Sequence, residues 1–231
     1  MARSVNVAVL LAGCGHVDGS EVREATFALL ALDQHGAKVQ CLALDAPQAG
    51  VWNHAACRPA EGAARNMLEE ASRIARAGQC LDLAQPDPGS YDALVLPGGA
   101  GVAKNLCTFA ADGPSAKVRP DVAAFVRSFF EAGKPVGAIC IAPALVALVL
   151  KGMNRRATLT LGDGAQAAAV EQLGARHQAV ASSREIVIDE ALKLVTTPAY
   201  MFGEARLSDV WVGIERCVAE VLRRVFPGQG A

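Results

Sequence analysis

The sequence predicts an α/β fold in which a doubly wound, mostly parallel sheet carries helices on both faces. Short apolar runs rich in β-branched residues, typical of strands buried on both faces, recur along the chain. Segments with helical spacing separate these runs, and strands that alternate with helices form parallel sheets. No repeat, low-complexity tract or linker divides the 231 residues, so we expect one domain with an elaboration at about residues 46–90.

The chain begins with a predicted strand–helix–strand unit. The first strand is VNVAVLLA (5–12), and the helix is DGSEVREATFALLALDQHG. Asp18 stands at the N-cap position of this helix with Glu21 in the capping-box position, and Gly36 follows its end. The apolar positions on one side of the helix are Val22, Ala25, Leu29 and Leu32. The second strand is AKVQCLAL (37–44).

The later elements continue the same alternation. Helices are predicted in ARNMLEEASRIARAG, DVAAFVRSFFEAG, IAPALVALVLKG, AQAAAVEQLG and a long C-terminal segment from about Gly203. A strand is predicted in the part of YDALVLPGGAG that precedes the glycines. Further strands are predicted in PVGAIC, ATLTLG, HQAV and EIVIDEALKLVTT. The segment VWNHAACRPAEG has weak patterning and predicts neither kind of element.

Composition excludes several classes of protein. The chain is 52% hydrophobic and 19% charged, which argues against disorder, and its net charge of −1 gives no general attraction for nucleic acid or anionic membranes. The longest apolar run, PVGAICIAPALVALVL, falls short of the ~20 residues that span a bilayer. The N-terminal apolar run is interrupted early by GCGHVDG, which favours a buried strand over a signal peptide. We therefore expect neither a nucleic-acid nor a membrane partner.

The seven cysteines form neither a disulfide framework nor a zinc site, since their number is odd and no CxxC pair occurs. Together with the absence of a secretion signal, this favours a reducing, cytoplasmic location. No histidine stands in a spacing typical of metal ligands, so we expect no metal and no other cofactor.

Three predicted strands end in glycine-rich or cysteine-bearing turns: LLAGCG, LVLPGGAG and GAICIA. Ligands of open parallel sheets bind at the carboxyl ends of the strands. The three turns are therefore expected to converge on one crevice.

Cys140 lies where a predicted strand ends and a helix begins. Free N–H groups and the positive end of the helix dipole favour a thiolate there and lower its pKa. Pro143 suits the first turn of that helix, and the strand–turn–helix context is typical of a nucleophile elbow. The alternative is that Cys140 is a small buried residue that fills the core.

The turn LPGGAG (96–101) and two glutamates offer partners for such a nucleophile. Consecutive glycines leave backbone N–H groups unhindered for an anion or an oxyanion, although the same pattern also fits a simple tight turn. The turn is neither a Walker loop nor GxGxxG. Glu21 is suited to capping, whereas Glu24 is free to face the crevice and move a proton, or to be a solvated helix charge.

Taken together, LAGCGHVDGSEVREA, ARNMLEEASRIARAG, PGGAGVAKNL, GKPVGAICIAPAL and VTTPAYM resemble the PfpI/ThiJ superfamily. These proteins are flavodoxin-like and similar to class I glutamine amidotransferases. The resemblance is greatest to the ElbB-type branch, which is linked to isoprenoid biosynthesis and to glyoxalase activity, and it covers nearly the whole chain.

The resemblance implies a role for four residues. It implies that Cys140 is the nucleophile, that Gly99 and Ile141 supply the N–H groups of an oxyanion hole, and that Glu24 rather than Glu21 is the acid–base partner. Further candidates for contact with a substrate are Gly98 and Asn105 in PGGAGVAKNL, and Arg65 and Asn66 at the start of a helix.

Two departures from the family pattern restrict the expected chemistry. Ile141 stands where many relatives have His, and TTPAY (196–200) stands where glutaminases have a late His-x-Glu. We therefore expect no glutaminase and no protease. The resemblance implies a glyoxalase III-like lyase that converts small carbonyl compounds such as methylglyoxal to hydroxy acids. It also implies that the protein is a homodimer. The alternative is a regulatory protein that uses the same cysteine as a redox sensor.

Overall fold

The computed structural model describes residues 4–164 and 166–225, which build a seven-stranded central sheet. In chain order its strands are β1 (Asn6–Leu10), β2 (Lys38–Ala43), β5 (Cys80–Asp82), β6 (Ala93–Leu96), β7 (Val136–Ile139), β10 (Val187–Asp189) and β11 (Leu194–Thr197). Two small sheets lie outside it, formed by β3 (Trp52–Asn53) with β4 (Arg58–Pro59) and by β8 (Thr158–Leu159) with β9 (Arg176–His177). The helices are α1 (Val22–Gln34), α2 (Met67–Ala75), α3 (Phe109–Asp112), α4 (Pro120–Glu131), α5 (Ala142–Gly152), α6 (Ala167–Gln172) and α7 (Leu207–Arg223).

The central sheet has the strand order β10-β11-β7-β6-β1-β2-β5. Neighbouring strands are parallel except for β10 and β11, which form an antiparallel pair at one edge. The predicted α/β, doubly wound and mostly parallel architecture is confirmed. The strands that carry the three turns, β1, β6 and β7, are adjacent, so their carboxyl ends lie side by side.

Alternate residues of the central strands support two separate cores. On one face, Leu10 and Leu96 pack in the core that includes α4 and α5. On the other face, Val9 and Val95 pack in the core that includes α1 and α7. The continuous apolar runs of the sequence follow from this arrangement, because both faces of each strand are covered.

Helix α1 begins later than the sequence predicts. Its N-cap is Glu21, not Asp18, and Gly36 follows the helix end with a φ of +70° as expected. Asp18 instead accepts a hydrogen bond from the backbone N–H of Trp52 (2.7 Å). Val22, predicted on the buried side, is 43% exposed, whereas Glu24 is buried. Val22 is the first residue of the helix, and the buried side is made by Glu24, Ala25, Ala28, Ala31 and Leu32.

The segment at about residues 46–90 contains the β3–β4 hairpin, α2 and β5. Strand β5 pairs in parallel with β2 and forms one edge of the central sheet. These strands are two or three residues long, too short to give an alternating pattern. Within residues 4–164 and 166–225, no helix is both long and apolar enough to cross a bilayer.

Candidate active site

Cys140 occupies a strained turn between β7 and α5. Its φ is +60°, a left-handed conformation that residues other than glycine rarely adopt. Its backbone N–H donates to the carbonyl of Thr197 (2.9 Å) at the end of β11, which fixes the turn to the neighbouring strand. The strand–turn–helix geometry is that of a nucleophile elbow, and Cys140 contacts the cavity described below.

The turns after β1 and β6 are joined by backbone hydrogen bonds. Glu21 N–H donates to the carbonyl of Gly98 (3.0 Å), Ala100 N–H to that of His16 (2.8 Å), and Gly101 N–H to that of Gly19 (2.9 Å). A side chain at Gly99, whose φ is +99°, would collide with the backbone of Glu21. The predicted meeting of these two turns is therefore present, and their close approach requires glycine.

The backbone N–H groups of Gly99 and Ile141 lie close enough to the thiol of Cys140 to lower its pKa. Gly99 comes from the turn after β6, and Ile141 is the N-cap of α5. These are the two groups that the resemblance assigns to an oxyanion hole. Their convergence is compatible with binding an oxygen anion on a carbon attached to the sulfur.

Glu24 is fully buried beside Cys140 and has a hydrogen bond on each carboxyl oxygen. Gly98 N–H donates to Oε2 (3.1 Å), and Tyr200 N–H donates to Oε1 (3.2 Å). The carboxyl also lies close enough to the thiol of Cys140 for each group to affect the pKa of the other. A Cβ at Gly98 would lie 2.5 Å from the Cβ of Cys140 and 2.6 Å from Oε2 of Glu24, so glycine is required at this position.

Burial controls the protonation of both groups. Desolvation, followed by the charge of Glu21, raises the pKa of Glu24 to about 8, so the carboxyl holds its proton at neutral pH. Burial, followed by the Glu24 charge, raises the pKa of Cys140 well above its ordinary value, although the N–H groups of Gly99 and Ile141 lower it. The lowered thiol pKa expected from the sequence is therefore wrong. The helix N-terminus acts in the expected direction, but Cys140 is only 8% exposed and desolvation is the larger effect.

Glu21, the alternative acid–base residue, has a local structural role. Its Oε2 accepts the backbone N–H of Glu24 (2.6 Å) and thereby caps α1. It lines the cavity, but its hydrogen bond is made to its own helix and not to Cys140.

A cavity of about 820 Å³ opens in front of Cys140. Its apolar walls include Ala103, Phe109 and Met201, and it also exposes polar side chains. The lining residues are His16, Glu21, Arg23, Gly99, Ala100, Ala103, Phe109, Ala110, Cys140, Ile141, Gln166, Tyr200, Met201 and Gly203. A cavity of this size lies within the range of small-molecule sites.

The other four candidates do not line this cavity. The N–H of Gly98 is occupied by Glu24, and the buried side chain of Asn105 bridges the backbone of Ala12, Asp18 and Ala49. Arg65 lies within 4 Å of the carboxylates of Asp18 and Glu70.

Asn66 caps α2 through the N–H groups of Leu68 and Glu69. The substrate contacts expected for Arg65 and Asn66 are not supported, because neither residue lines the Cys140 cavity and both side chains are engaged by neighbouring protein groups. The predicted helix start at these residues is confirmed, since Asn66 is the N-cap of α2.

Two residues of the site were missed from the sequence. Tyr200 fixes Glu24 through its backbone N–H, and Arg23 brings a cation to the cavity one position before Glu24. The contact of Tyr200 with Glu24 is made by a backbone N–H, so the sequence does not indicate it. In the sequence, Arg23 is indistinguishable from an ordinary charged residue on the exposed side of a helix, and only the structure shows that it lines the cavity.

No group of three or more His, Cys, Asp or Glu side chains suited to a metal occurs in the part of the chain that the structure describes.

The DJ-1/PfpI family model matches residues 14–201, and the chain belongs to this family. It is 42% identical over 225 residues to the human glutamine amidotransferase-like class 1 domain-containing protein 3, mitochondrial, covering 95% of this chain and 83% of the relative. Its fold is similar to that of an isoprenoid biosynthesis protein with an amidotransferase-like domain from Ehrlichia chaffeensis. The TM-score is 0.89 and the identity 35%, over 96% of this chain and 100% of that one.

Two relatives carry names of enzymes. A deglycase from Thermococcus kodakarensis is 34% identical over 113 residues, which is 47% of this chain and 56% of its own. Glyoxalase III from Candida albicans has a TM-score of 0.59 over 94% of this chain and 97% of its own, but its 15% identity shows the shared fold alone.

The expected cytoplasmic location is wrong by these comparisons. The human relative and the ES1 proteins of rat and zebrafish are all named as mitochondrial. Cysteine usage favours a reducing compartment, but it does not distinguish one reducing compartment from another.

Proposed function

We propose that the protein converts 2-oxoaldehydes to 2-hydroxy acids without a cofactor, with Cys140 as the nucleophile and Glu24 as the acid–base group. The observation that carries this proposal is the buried carboxyl of Glu24, held by two backbone N–H groups against the thiol of Cys140. A carboxyl with a pKa raised to about 8 is suited to both donating and accepting a proton near neutral pH.

The first step joins the substrate to the enzyme. In the reactive form, Cys140 and Glu24 hold one proton between them. The thiolate attacks the aldehyde carbon and forms a C–S bond, and Glu24 gives its proton to the aldehyde oxygen, which leaves a hemithioacetal. The N–H groups of Gly99 and Ile141 stabilise the negative charge on that oxygen as it develops.

The second step moves hydrogen between the two carbons. The carboxylate of Glu24 takes the proton from the sulfur-bearing carbon and gives it to the adjacent carbonyl oxygen, which yields an enediol. The same carboxyl then takes the hydroxyl proton of the sulfur-bearing carbon and delivers a proton to the neighbouring carbon. The product is a thioester beside a new hydroxyl. Water hydrolyses the thioester, releases the hydroxy acid and restores the thiol, so the net reaction adds one water without net oxidation.

The names of the Thermococcus kodakarensis and Candida albicans relatives support carbonyl chemistry on this fold, and that of the Ehrlichia chaffeensis protein points to isoprenoid biosynthesis as the process served. The regulatory alternative needs an accessible cysteine of low pKa. Cys140 is buried and its pKa is raised, so the geometry favours the enzyme over the redox sensor.

The direct test is turnover of methylglyoxal in the absence of glutathione, measured as lactate by chromatography. We expect the wild-type protein to form lactate, Cys140→Ala to form none, and Cys57→Ala to match the wild type, because Cys57 is exposed and absent from the cavity lining. Lactate formation that persists in Cys140→Ala would refute the role of the cysteine, and its absence from wild type would refute the reaction.

A further inference from the structure

A cation lies in the wall of the Cys140 cavity. Arg23 Nη1 donates to the hydroxyl of Tyr200 (3.1 Å), and the guanidinium carbon stands 5.8 Å from the centre of the Tyr200 ring. Both side chains line the same cavity as Cys140. The hydroxyl and the ring therefore orient the arginine without neutralising its charge.

The charge of Arg23 has no carboxylate partner within ion-pair distance among the residues that the structure describes. Its main electrostatic partner is the hydroxyl of Tyr200, and the carboxylate of Glu21 contributes less. The carboxylate of Glu21 is engaged at the N-terminus of α1, where it accepts the N–H of Glu24. An anionic group that enters the cavity would therefore meet a guanidinium with donors to spare.

The position of the arginine relative to the reacting groups is fixed by the backbone. Arg23 directly precedes Glu24, and the backbone N–H of Tyr200 holds the carboxyl of Glu24. The pair that orients the cation is thus attached to the same two segments that hold the acid–base group. The cavity that Arg23 lines also has apolar walls, which include Phe109 and Met201 and which the apolar part of a substrate can contact.

We propose that Arg23, positioned by Tyr200, binds a carboxylate of the substrate, so that the site takes carbonyl compounds in which an apolar body separates the reactive carbonyl from an anionic group. The carbonyl part rests on the proposed function, but the recognition of the anion does not. The volume of about 820 Å³ exceeds what the smallest 2-oxoaldehydes fill, which fits a larger substrate.

The first experiment measures recognition without turnover. Iodoacetate and iodoacetamide differ only in the charge of the group beside the reactive carbon, and peptide mapping gives the alkylation rate of Cys140 with each. In Arg23→Gln we expect the ratio of the iodoacetate rate to the iodoacetamide rate to fall about fivefold, as for the loss of one solvent-screened ion pair. The iodoacetamide rate itself should not change.

Three variants control this result. Arg23→Lys keeps the charge and should retain most of the ratio, and Tyr200→Phe should lower it less than Arg23→Gln because the cation remains. Arg127→Gln removes an exposed arginine of α4 that does not line the cavity, and its ratio should equal that of wild type. An unchanged ratio in Arg23→Gln, or an equal fall in Arg127→Gln, would overturn the proposal.

The second experiment measures kcat/KM for phenylglyoxal and for 4-carboxyphenylglyoxal. We expect Arg23→Gln to lose about fivefold or more on the carboxylated substrate alone, mainly through KM, because the contact binds substrate away from the reacting atoms. Equal losses on both substrates would contradict a contact with the carboxylate. If wild type turns over methylglyoxal but neither of these compounds, the larger carbonyl substrate is wrong; if it turns over none of the three, the proposed reaction fails; in both cases the alkylation ratio still decides the anion site.

Discussion

The free energy of unfolding of the wild-type protein should decrease as the pH rises, because Glu24 loses its proton in the folded state. Replacement of Glu24 by glutamine should remove this decrease. The pKa of Glu24 is raised from an ordinary value of 4.5 to about 8, mainly by desolvation. The folded state therefore holds this proton more tightly than the unfolded state. The resulting stabilisation is complete below the unfolded pKa and is lost progressively as the pH rises through the folded pKa.

The size of this effect follows from the shift. Each pKa unit corresponds to about 1.36 kcal/mol, so between about pH 5 and about pH 8 the wild-type free energy of unfolding should fall by roughly 3 kcal/mol through this group. Glutamine has the same size and does not titrate, so Glu24→Gln lacks this contribution. The measurement stops at about pH 8 because exposed thiols, with an ordinary pKa of about 8.5, would titrate above it and change the free energy of unfolding themselves.

Urea unfolding of the two proteins across this range measures the difference. We expect the free energy of unfolding to fall more steeply with pH in wild type than in Glu24→Gln, by roughly 3 kcal/mol in total. Glu131→Gln is the matched control, because Glu131 is exposed at the end of α4, does not line the cavity and does not influence the pKa of Glu24, so the pH dependence of this variant should match that of wild type. Parallel pH dependences for wild type and Glu24→Gln would show that Glu24 is ionised in the fold at neutral pH, and the reasoning on its protonation would be wrong.

Three further outcomes are expected. Glu24→Gln should lose at least ~100-fold in methylglyoxal turnover, the lower range for general acid–base catalysis, whereas Glu21→Gln should retain most of it; the reverse result in steady-state assays would move the role to Glu21. Turnover by wild type should increase with pH, with a midpoint at about pH 8, because the Cys140–Glu24 pair loses its first proton there. A rate that stays constant from about pH 6 to about pH 9 would contradict this. Gly98→Ala should lose both turnover and alkylation of Cys140, since its Cβ would collide with both members of the pair, whereas Gly50→Ala, with open space around it, should behave as wild type in the same two assays.

The sequence was sufficient for the parts of the fold that are long and regular. β1, β7 and α5 were predictable because their apolar runs are continuous, and the elbow followed from the junction of β7 with α5. β5 was not predictable, since three half-buried residues give no period. The start of α1 was misplaced because Asp18 and Glu21 are both chemically able to cap a helix, and only the path of the turn decides between them.

The candidate site was predictable where a residue type carries the signal. Cys140, Glu24 and Gly99 have distinctive chemistry or conformation, and the structure brings them together. The direction of the thiol pKa was not predictable, because it depends on how completely the surrounding side chains exclude water. Tyr200 was overlooked because the group it presents to Glu24 is a backbone N–H, which every residue except proline has.

Backbone hydrogen bonds between the turns after β1 and β6 hold the catalytic groups in place, whereas side chains of the cavity wall determine which substrate fits. Glu21, Ala100 and Gly101 donate main-chain N–H groups to the carbonyls of the opposite turn, and these bonds need glycine at the points of close approach but not any particular side chain facing the cavity. Side chains that face the cavity can therefore be exchanged while the nucleophile and the carboxyl remain in register. Such a scaffold is suited to diversification: new substrates can be acquired by altering the cavity wall, and directed evolution of this protein should begin at positions such as Ala103, Phe109 and Met201.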